Sequence, residues 1–451
     1  MKVNLRKISF RVLIVVAVLI VAVLVVRAVL NYTTGKRLEA FLQKAKSEGV
    51  PFHVRDLIKD CPEDENAAKL WKAAEDLLSL DEKDRANLNR PLENSFYRRP
   101  LDGDMRSRLQ VLIKKNRRAL DLAIEASIRP CLHLGLWETR SGGTGDEQVT
   151  TIVKTLQVTK LLAIDALLRA DRGEVMLALE DCRSGLMLAR RLLDEPSLIG
   201  ALAAVADARQ MVGTFGRIVE GQDIGQETLA SWIGDLDPRS WRSLFAKVLP
   251  AERANSLDMG LKIIEGDAAA IKSSSGTGIS ASRFWNWLLR PAIKLELVWF
   301  QGVFENAGNT YMLPYFEQRR PLTQLSQRLA SPPWYVKMTG GLRSDFQAPA
   351  LKEAMLEATM LATRAGLASR IYKKKTGHFP TNLDSLVPDI LPEIPLDPFT
   401  GKPLVFRIGD GELLIYSLGS NQKDDGGRGS FLIDRAVMDK DDDWAWIDKM
   451  R

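Results

Sequence analysis

Residues 151–193 read TIVKTLQVTKLLAIDALLRA, then DRG, then EVMLALEDCRSGLMLARRLL. In the first segment Ile152, Leu156, Leu161, Leu162, Ile164, Leu167 and Leu168 recur at helical spacing. In the third, Ala178, Leu179, Cys182, Leu186 and Ala189 do the same. Each segment therefore carries one apolar stripe with a period near 3.6 residues. Asp171-Arg172-Gly173 lies between them, and a glycine there ends a helix in the left-handed conformation at little cost. Two antiparallel helices burying their stripes against each other follow, which sets the chain in the mainly α class.

Working outward, helical periodicity returns in several places. Gly35–Glu48, Asp64–Leu80, Arg106–Ser127, Ser197–Glu220 and Ala348–Lys375 each predict a helix. Asn87–Asp104 and the glycine-rich Ser141–Gly145 predict breaks. Ser273-Ser274-Ser275-Gly276-Thr277-Gly278 makes residues 266–283 the best candidate for a flexible loop. After it, Phe284, Trp285, Trp287, Leu288, Trp299, Phe300 and Phe304 crowd one stretch, interrupted by Arg290-Pro291, Lys294 and Glu296. Those charges exclude a second membrane span. Two readings stay open: a pair of core helices built from large residues, or a surface lying on lipid headgroups.

At the N-terminus, Val12–Val26 is an unbroken run of Val, Leu, Ile and Ala flanked by Arg11 and Arg27. Extended over residues 8–30 it is about 23 residues, enough for a ~30 Å hydrocarbon layer. Lys2, Arg6, Lys7 and Arg11 precede it without an acidic residue, so the N-terminus is expected in the cytoplasm and the body outside. Val26-Arg27-Ala28-Val29-Leu30 offers no small-x-small cleavage site, which favours an uncleaved anchor over a signal peptide. The expected plan is a cytoplasmic tail (1–7), a transmembrane anchor (8–30), an extracytoplasmic helical domain of hairpins (31–265), the flexible loop (266–283), an aromatic-rich helical segment (284–344) and a small α+β module with an antiparallel sheet (345–451). The location implied is a bacterial inner membrane, crossed once, with the body periplasmic.

The formal charge of +6 over 451 residues comes from Lys and Arg interleaved with Asp and Glu. No basic stripe forms, and nucleic acid is not an expected partner. Three cysteines, Cys61, Cys131 and Cys182, are too widely spaced for a zinc site. One disulfide with one thiol left over, or three buried thiols, both remain open. Only three histidines occur, none within helical ligand spacing of another, and no nucleophile elbow, phosphate loop or zinc-protease motif is present.

The C-terminal quarter is the most specific. Gly377 follows Lys373, Lys374 and Lys375 as a helix cap, and Asn382 precedes a short helical turn. Asp397-Pro398-Phe399-Thr400-Gly401 is a turn, with Pro fixing φ and Gly taking a positive one. Leu404–Ile408 and Leu413–Leu418 read as a hairpin about Gly409-Asp410-Gly411. Together with Tyr372, Gly377-His378-Phe379-Pro380, Tyr416-Ser417-Leu418-Gly419 and Lys423-Asp424-Asp425-Gly426-Gly427, this order resembles the globular domain of type II secretion major pseudopilins. The chain as a whole resembles a group of single-pass membrane proteins of planctomycete-type bacteria with the same ending. The pseudopilin resemblance covers residues 350–435 and implies a calcium-binding loop. Its ligands would be the Leu418 carbonyl, Asn421, Asp424, Asp425 and Asp434. Asn421 stands where that family carries Asp, which removes one charge. No prepilin junction precedes the apolar run, so filament assembly is not implied along with the fold. The expected function is non-enzymatic: a membrane-anchored extracytoplasmic protein serving interaction or assembly with other envelope proteins. A component of a secretion or pilus-like system is one alternative, and a hydrolase with a spatially assembled carboxylate site is another.

Overall fold

The apolar N-terminal run and its polar continuation form one uninterrupted helix, α1 (Leu5–Ser47), in a computed structural model. The structure describes residues 5–88, 103–135, 146–194, 196–220, 222–273, 283–339, 345–409, 412–427 and 444–449. Helices α2 (Ala68–Leu77), α3 (Glu82–Asn87) and α4 (Gly103–Ser127) follow. The opening hairpin is α5 (Asp146–Asp171) and α6 (Val175–Arg191), with Gly173 at φ 81° in its turn. Then come α7 (Leu198–Val219), α8 (Gln226–Asp235), α9 (Leu244–Glu265), α10 (Ala268–Ser273) and α11 (Arg283–Tyr311). The last helices are α12 (Tyr315–Ala330), α13 (Trp334–Thr339) and α14 (Gln347–Thr376). Strands β1 (Val405–Gly409), β2 (Glu412–Ser417) and β3 (Trp444–Lys449) close the chain as an antiparallel sheet in that order. The protein is mainly α with a small C-terminal sheet.

The chain divides into two compact units, each discontinuous in sequence. The first comprises Met1–Leu57, Pro250–Asn306 and Leu325–Ser344; the second comprises Ile58–Leu249, Ala307–Gln324 and Asp345–Arg451. In the second, α5, α6 and α7 pack on one another, α4 lies against α5 and α6, and α2 covers α4. Leu161, Leu162, Ala178, Cys182 and Ala204 are fully buried at their contacts. Helix α14 packs on α7 and α8 and receives β2 and β3. One side chain locks that arrangement. Trp446 of β3 is buried against Gly366 of α14 and Gly216 of α7, where an added Cβ would stand 2.3 Å and 3.4 Å from the indole. Glycine at position 366 is thus required by the approach of the indole.

In the first unit, Leu38 of α1 packs with Leu257 of α9 and Leu297 of α11, joined by Phe41, Leu42 and Phe52. A second cluster of Ile263, Ala270, Ile271 and Ile293 ties α9, α10 and α11 together. Helix α11 runs parallel to α1, because Trp287 meets Arg27, Lys294 meets Asn31, and Leu297 meets Leu38. From Leu13 to Leu30 the large apolar side chains of α1 are 45–69% exposed. That helix is long and apolar enough to cross a membrane.

Some sequence expectations are corrected. The helix expected over residues 64–80 is shorter, because Asn66 is diverted into a bridge with Cys131, where, just ahead of α2, its Oδ1 accepts from Ala68 N at 3.0 Å. Within the expected loop 87–104, α4 already begins at Gly103; just upstream, Asp81 and Asp84 make a capping box on α3. Part of the loop expected over 266–283 is helical, since Asp267 Oδ1 accepts from Ala270 N and starts α10. Its Ser-Gly portion, the break at Ser141–Gly145 and the hairpin tip at Asp410-Gly411 lie outside the described residues. Strand β3 was not expected. Of the two cysteine readings, Cys61 and Cys131 form a disulfide and Cys182 is a buried free thiol.

Candidate functional site

The loop proposed for calcium is organised around a different residue, Asp397. The turn it opens is closed by Gly401 N donating to Asp397 O at 2.8 Å, with Gly401 at φ 70°. Its carboxylate is buried and accepts from Phe399 N at 2.9 Å and Ser417 Oγ at 2.8 Å through Oδ1, and from Leu418 N at 3.0 Å through Oδ2. The two motifs read separately in the sequence, Asp397–Gly401 and Tyr416–Gly419, are thereby one hydrogen-bonded unit. Phe399 fills the core beneath it against Ala354, Ala358 and Tyr315.

The described members of the calcium set have partners within the chain. Asp424 Oδ2 accepts from Arg407 at 2.6 Å, and its Oδ1 accepts from Tyr416 Oη at 2.8 Å and Gly426 N at 3.1 Å. Asn421 Oδ1 accepts from Lys423 N, and Asn421 Nδ2 donates to Asp425 Oδ2, both at 2.7 Å. Leu418 is held through its N–H on Asp397. Asp434 lies outside the described residues. Calcium needs six or more oxygens free to face it. Here N–H and O–H donors occupy both oxygens of Asp424 and the Oδ2 of Asp425, and Arg407 brings a positive charge to Asp424. The described donors do not fit a calcium ion as they stand. No group of three or more His, Cys, Asp or Glu able to hold a metal occurs among the described residues.

Compared with protein-family models, with curated proteins and with solved structures, the chain matches none.

Buried carboxylates elsewhere serve helix ends and helix contacts. Glu353 of α14 accepts from Leu244 N at 3.1 Å and Phe245 N at 3.4 Å, capping α9 from another helix, and burial pushes its carboxyl up to about 7. One turn on, Glu357 accepts from Arg242 at 2.6 Å; burial raises its proton affinity, offset in part by Arg242. Between α4, α5 and α6, Asp165 accepts from Arg117 at 2.7 Å and Arg169 at 3.2 Å, and Arg169 reaches Asp181 at 3.0 Å. Burial and the neighbouring Asp165 push Asp181 up to about 7. Asp207 is fully enclosed, accepts from Thr159 Oγ1 at 2.6 Å, and is pushed by burial to about 7. Of the histidines, His378 Nδ1 lies 3.1 Å from Phe379 O, and His53 faces Asp258 at 3.6 Å on an exposed surface.

The C-terminal end of the apolar run in α1 has a different character. Arg27 sits 3.5 Å above the Trp287 ring and donates to Trp287 O at 2.8 Å. That carbonyl is available for a reason visible in the sequence. The residue four positions on is Pro291, which has no N–H to return to it. A proline that looked like an interruption creates the acceptor to which Arg27 of α1 binds. Lys294 donates to Asn31 Oδ1 at 3.0 Å. Phe284, Trp285 and Trp287 remain 60%, 47% and 36% exposed, whereas Phe300, Val303 and Phe304 further along α11 are buried. The core reading describes the second part of this segment, and the first part is exposed.

Proposed function

We propose that the protein is a single-pass membrane-anchored scaffold whose helical body lies outside the cytoplasm and serves interaction or assembly with other envelope proteins. The observation that carries this is the Cys61–Cys131 disulfide in the body of a chain that begins with an exposed apolar helix. Disulfides persist in oxidising compartments and are rare in the cytosol. The bridge is supported locally: Ala67 N donates to Cys131 O, and Asn66 Oδ1 accepts from His133 N. The arginine and lysine bias before the apolar run favours the same orientation. A pseudopilin-type reading of the C-terminal module draws support from the long α14 packed under an antiparallel sheet and from the Asp397 tie. Fold alone does not carry secretion with it.

Thiol trapping in intact cells tests the compartment. Cys61 and Cys131 are expected to resist maleimide until a reductant is added, and protease added to spheroplasts is expected to remove the C-terminal body. Free thiols at both positions in freshly trapped cells, or protection of the body, would reverse the orientation. Crosslinking in membranes followed by affinity capture tests assembly, with recovery of only the monomeric chain counting against it.

A further inference from the structure

In one place charged and aromatic side chains gather without internal partners of opposite charge. Arg27, Arg290 and Lys294 meet where α11 lies along the outer end of α1. Among the described residues none of the three has a carboxylate within ion-pair distance, and Arg290 Nε is buried without an acceptor. Burial and the neighbouring Arg290 and Arg27 cations pull the Lys294 ammonium below its ordinary value. Three like charges held together repel one another unless an anion sits among them. In the second unit, by contrast, the half-buried Arg117 and Arg169 face the buried Asp165 and Asp181.

The depth of this cluster follows from the helix pairing. Arg27 stands at the edge of the apolar run, so Trp287 lies at the same level. Because α11 is parallel to α1, its first residues point back toward the span. Phe284 lies three residues earlier, about 4.5 Å nearer the hydrocarbon at 1.5 Å per residue. Phe284 and Trp285 therefore enter the zone where amphipathic aromatic rings settle, while the cations stand level with the phosphates.

We propose that the outer end of the α1–α11 pair binds the headgroup phosphate of an anionic phospholipid through Arg27, Arg290 and Lys294, with Phe284, Trp285 and Trp287 seated in the bilayer interface. This rests on α1 being the membrane anchor. The bound lipid neutralises the cluster and fixes the tilt of the first unit on the bilayer. Lys294 is already oriented by Asn31, and Arg27 by the carbonyl that Pro291 leaves free, so both cations are positioned before the lipid arrives.

The test uses the full chain in mild detergent with equimolar phosphatidylglycerol and phosphatidylcholine, with retained lipid counted by native mass spectrometry. Preferential retention of phosphatidylglycerol is expected, persisting in excess inorganic phosphate, and falling about thirtyfold in an Arg290→Gln/Lys294→Gln variant, at about 1 kcal/mol for each of the two cations removed. Equal retention of the two lipids by the native chain would overturn the proposal, as would an unchanged preference in the folded variant. Displacement by inorganic phosphate would identify a phosphate site unrelated to lipid and also overturn it. Should the double variant fail to fold, reconstitution of the native chain with brominated lipid decides. Tryptophan quenching is expected, and is expected to weaken in Trp285→Phe/Trp287→Phe; quenching equal in the two proteins counts against insertion. Recovery of the chain from the soluble fraction of broken cells would instead refute the anchor reading itself, a separate outcome.

Discussion

Two arginine–tryptophan contacts in this protein look alike and do opposite things. Arg370 lies 5.8 Å from the Trp446 ring, and that indole is buried in a slot made by two glycines. Arg27 lies 3.5 Å from the Trp287 ring, and that indole keeps a third of its surface exposed. In the first, the ring fills space and the guanidinium turns away to the Val219 carbonyl at 2.6 Å. In the second, the ring stays exposed and the cation lies over it. The lesson is that the residue pair does not define the role; what surrounds it does. Where neighbours complete the packing and the charge balance, the pair is a structural lock. Where they do not, a surface remains to be covered.

Deleting each indole separates the two roles most directly. Trp446→Ala is expected to cost about 3–5 kcal/mol by opening a cavity between α7 and α14, whereas Trp287→Ala in detergent stays within about 0.5 kcal/mol. Chemical denaturation of both variants measures this, and equal losses would erase the distinction. Gly366→Ala probes the same slot from the other side. A methyl 2.3 Å from a rigid ring must push it, and about 1–3 kcal/mol of stability should go.

A second test sharpens the contrast through pH. Asp181, Asp207 and Glu353 each hold a folded-state value of about 7. Their folded-state values lie above those of an unfolded chain, near 4. The fold therefore keeps protons that the unfolded chain releases. Their stabilising contribution is complete below about pH 4 and is lost as pH rises through 7. Asp237, held low by its Arg239 partner, works in the opposite direction, losing its contribution as the carboxylate protonates in stronger acid. Melting temperature should thus be higher in mild acid than at pH 8, and Asp207→Asn should shrink the difference by the equivalent of about 1–4 kcal/mol. A flat profile in the native chain would show that these carboxylates are better solvated than their burial implies.

The smallest effect concerns calcium. With Arg407 and Tyr416 on Asp424, millimolar calcium should shift the melting temperature of the full chain by less than about 1 °C, because only a ligand that binds the folded state stabilises it. A clear rise against chelator would mean that the loop rearranges and that Asn421, Asp424 and Asp425 turn to the ion. Arg407→Ala, removing a half-exposed ion pair, should cost no more than about 1 kcal/mol.

The sequence made the local features legible and the long-range partners much less so. The α5–α6 hairpin was readable because its stripe and its Gly173 turn agree. Gly377, at φ 84° after three lysines, was readable as a cap for the same reason. Strand β3 was not, because its contacts are with β2 and with two glycines far upstream, and no local pattern announces that. Pro291 looked like a break, although its missing N–H is what lets a distant arginine bind. Asp397 reads locally as part of its own turn, yet its carboxylate also organises the Tyr416–Gly419 turn. Chain separation of some 20 residues between Asp397 and Ser417 conceals that hydrogen bond from any reading of neighbouring residues.

The bridge between Cys61 and Cys131 spans 70 positions. A single nick anywhere between them would leave both fragments on one covalent molecule, holding α2 and α4 at high effective concentration. In an environment rich in proteases, such a body can be cut once without coming apart, and only a reductant would release the pieces.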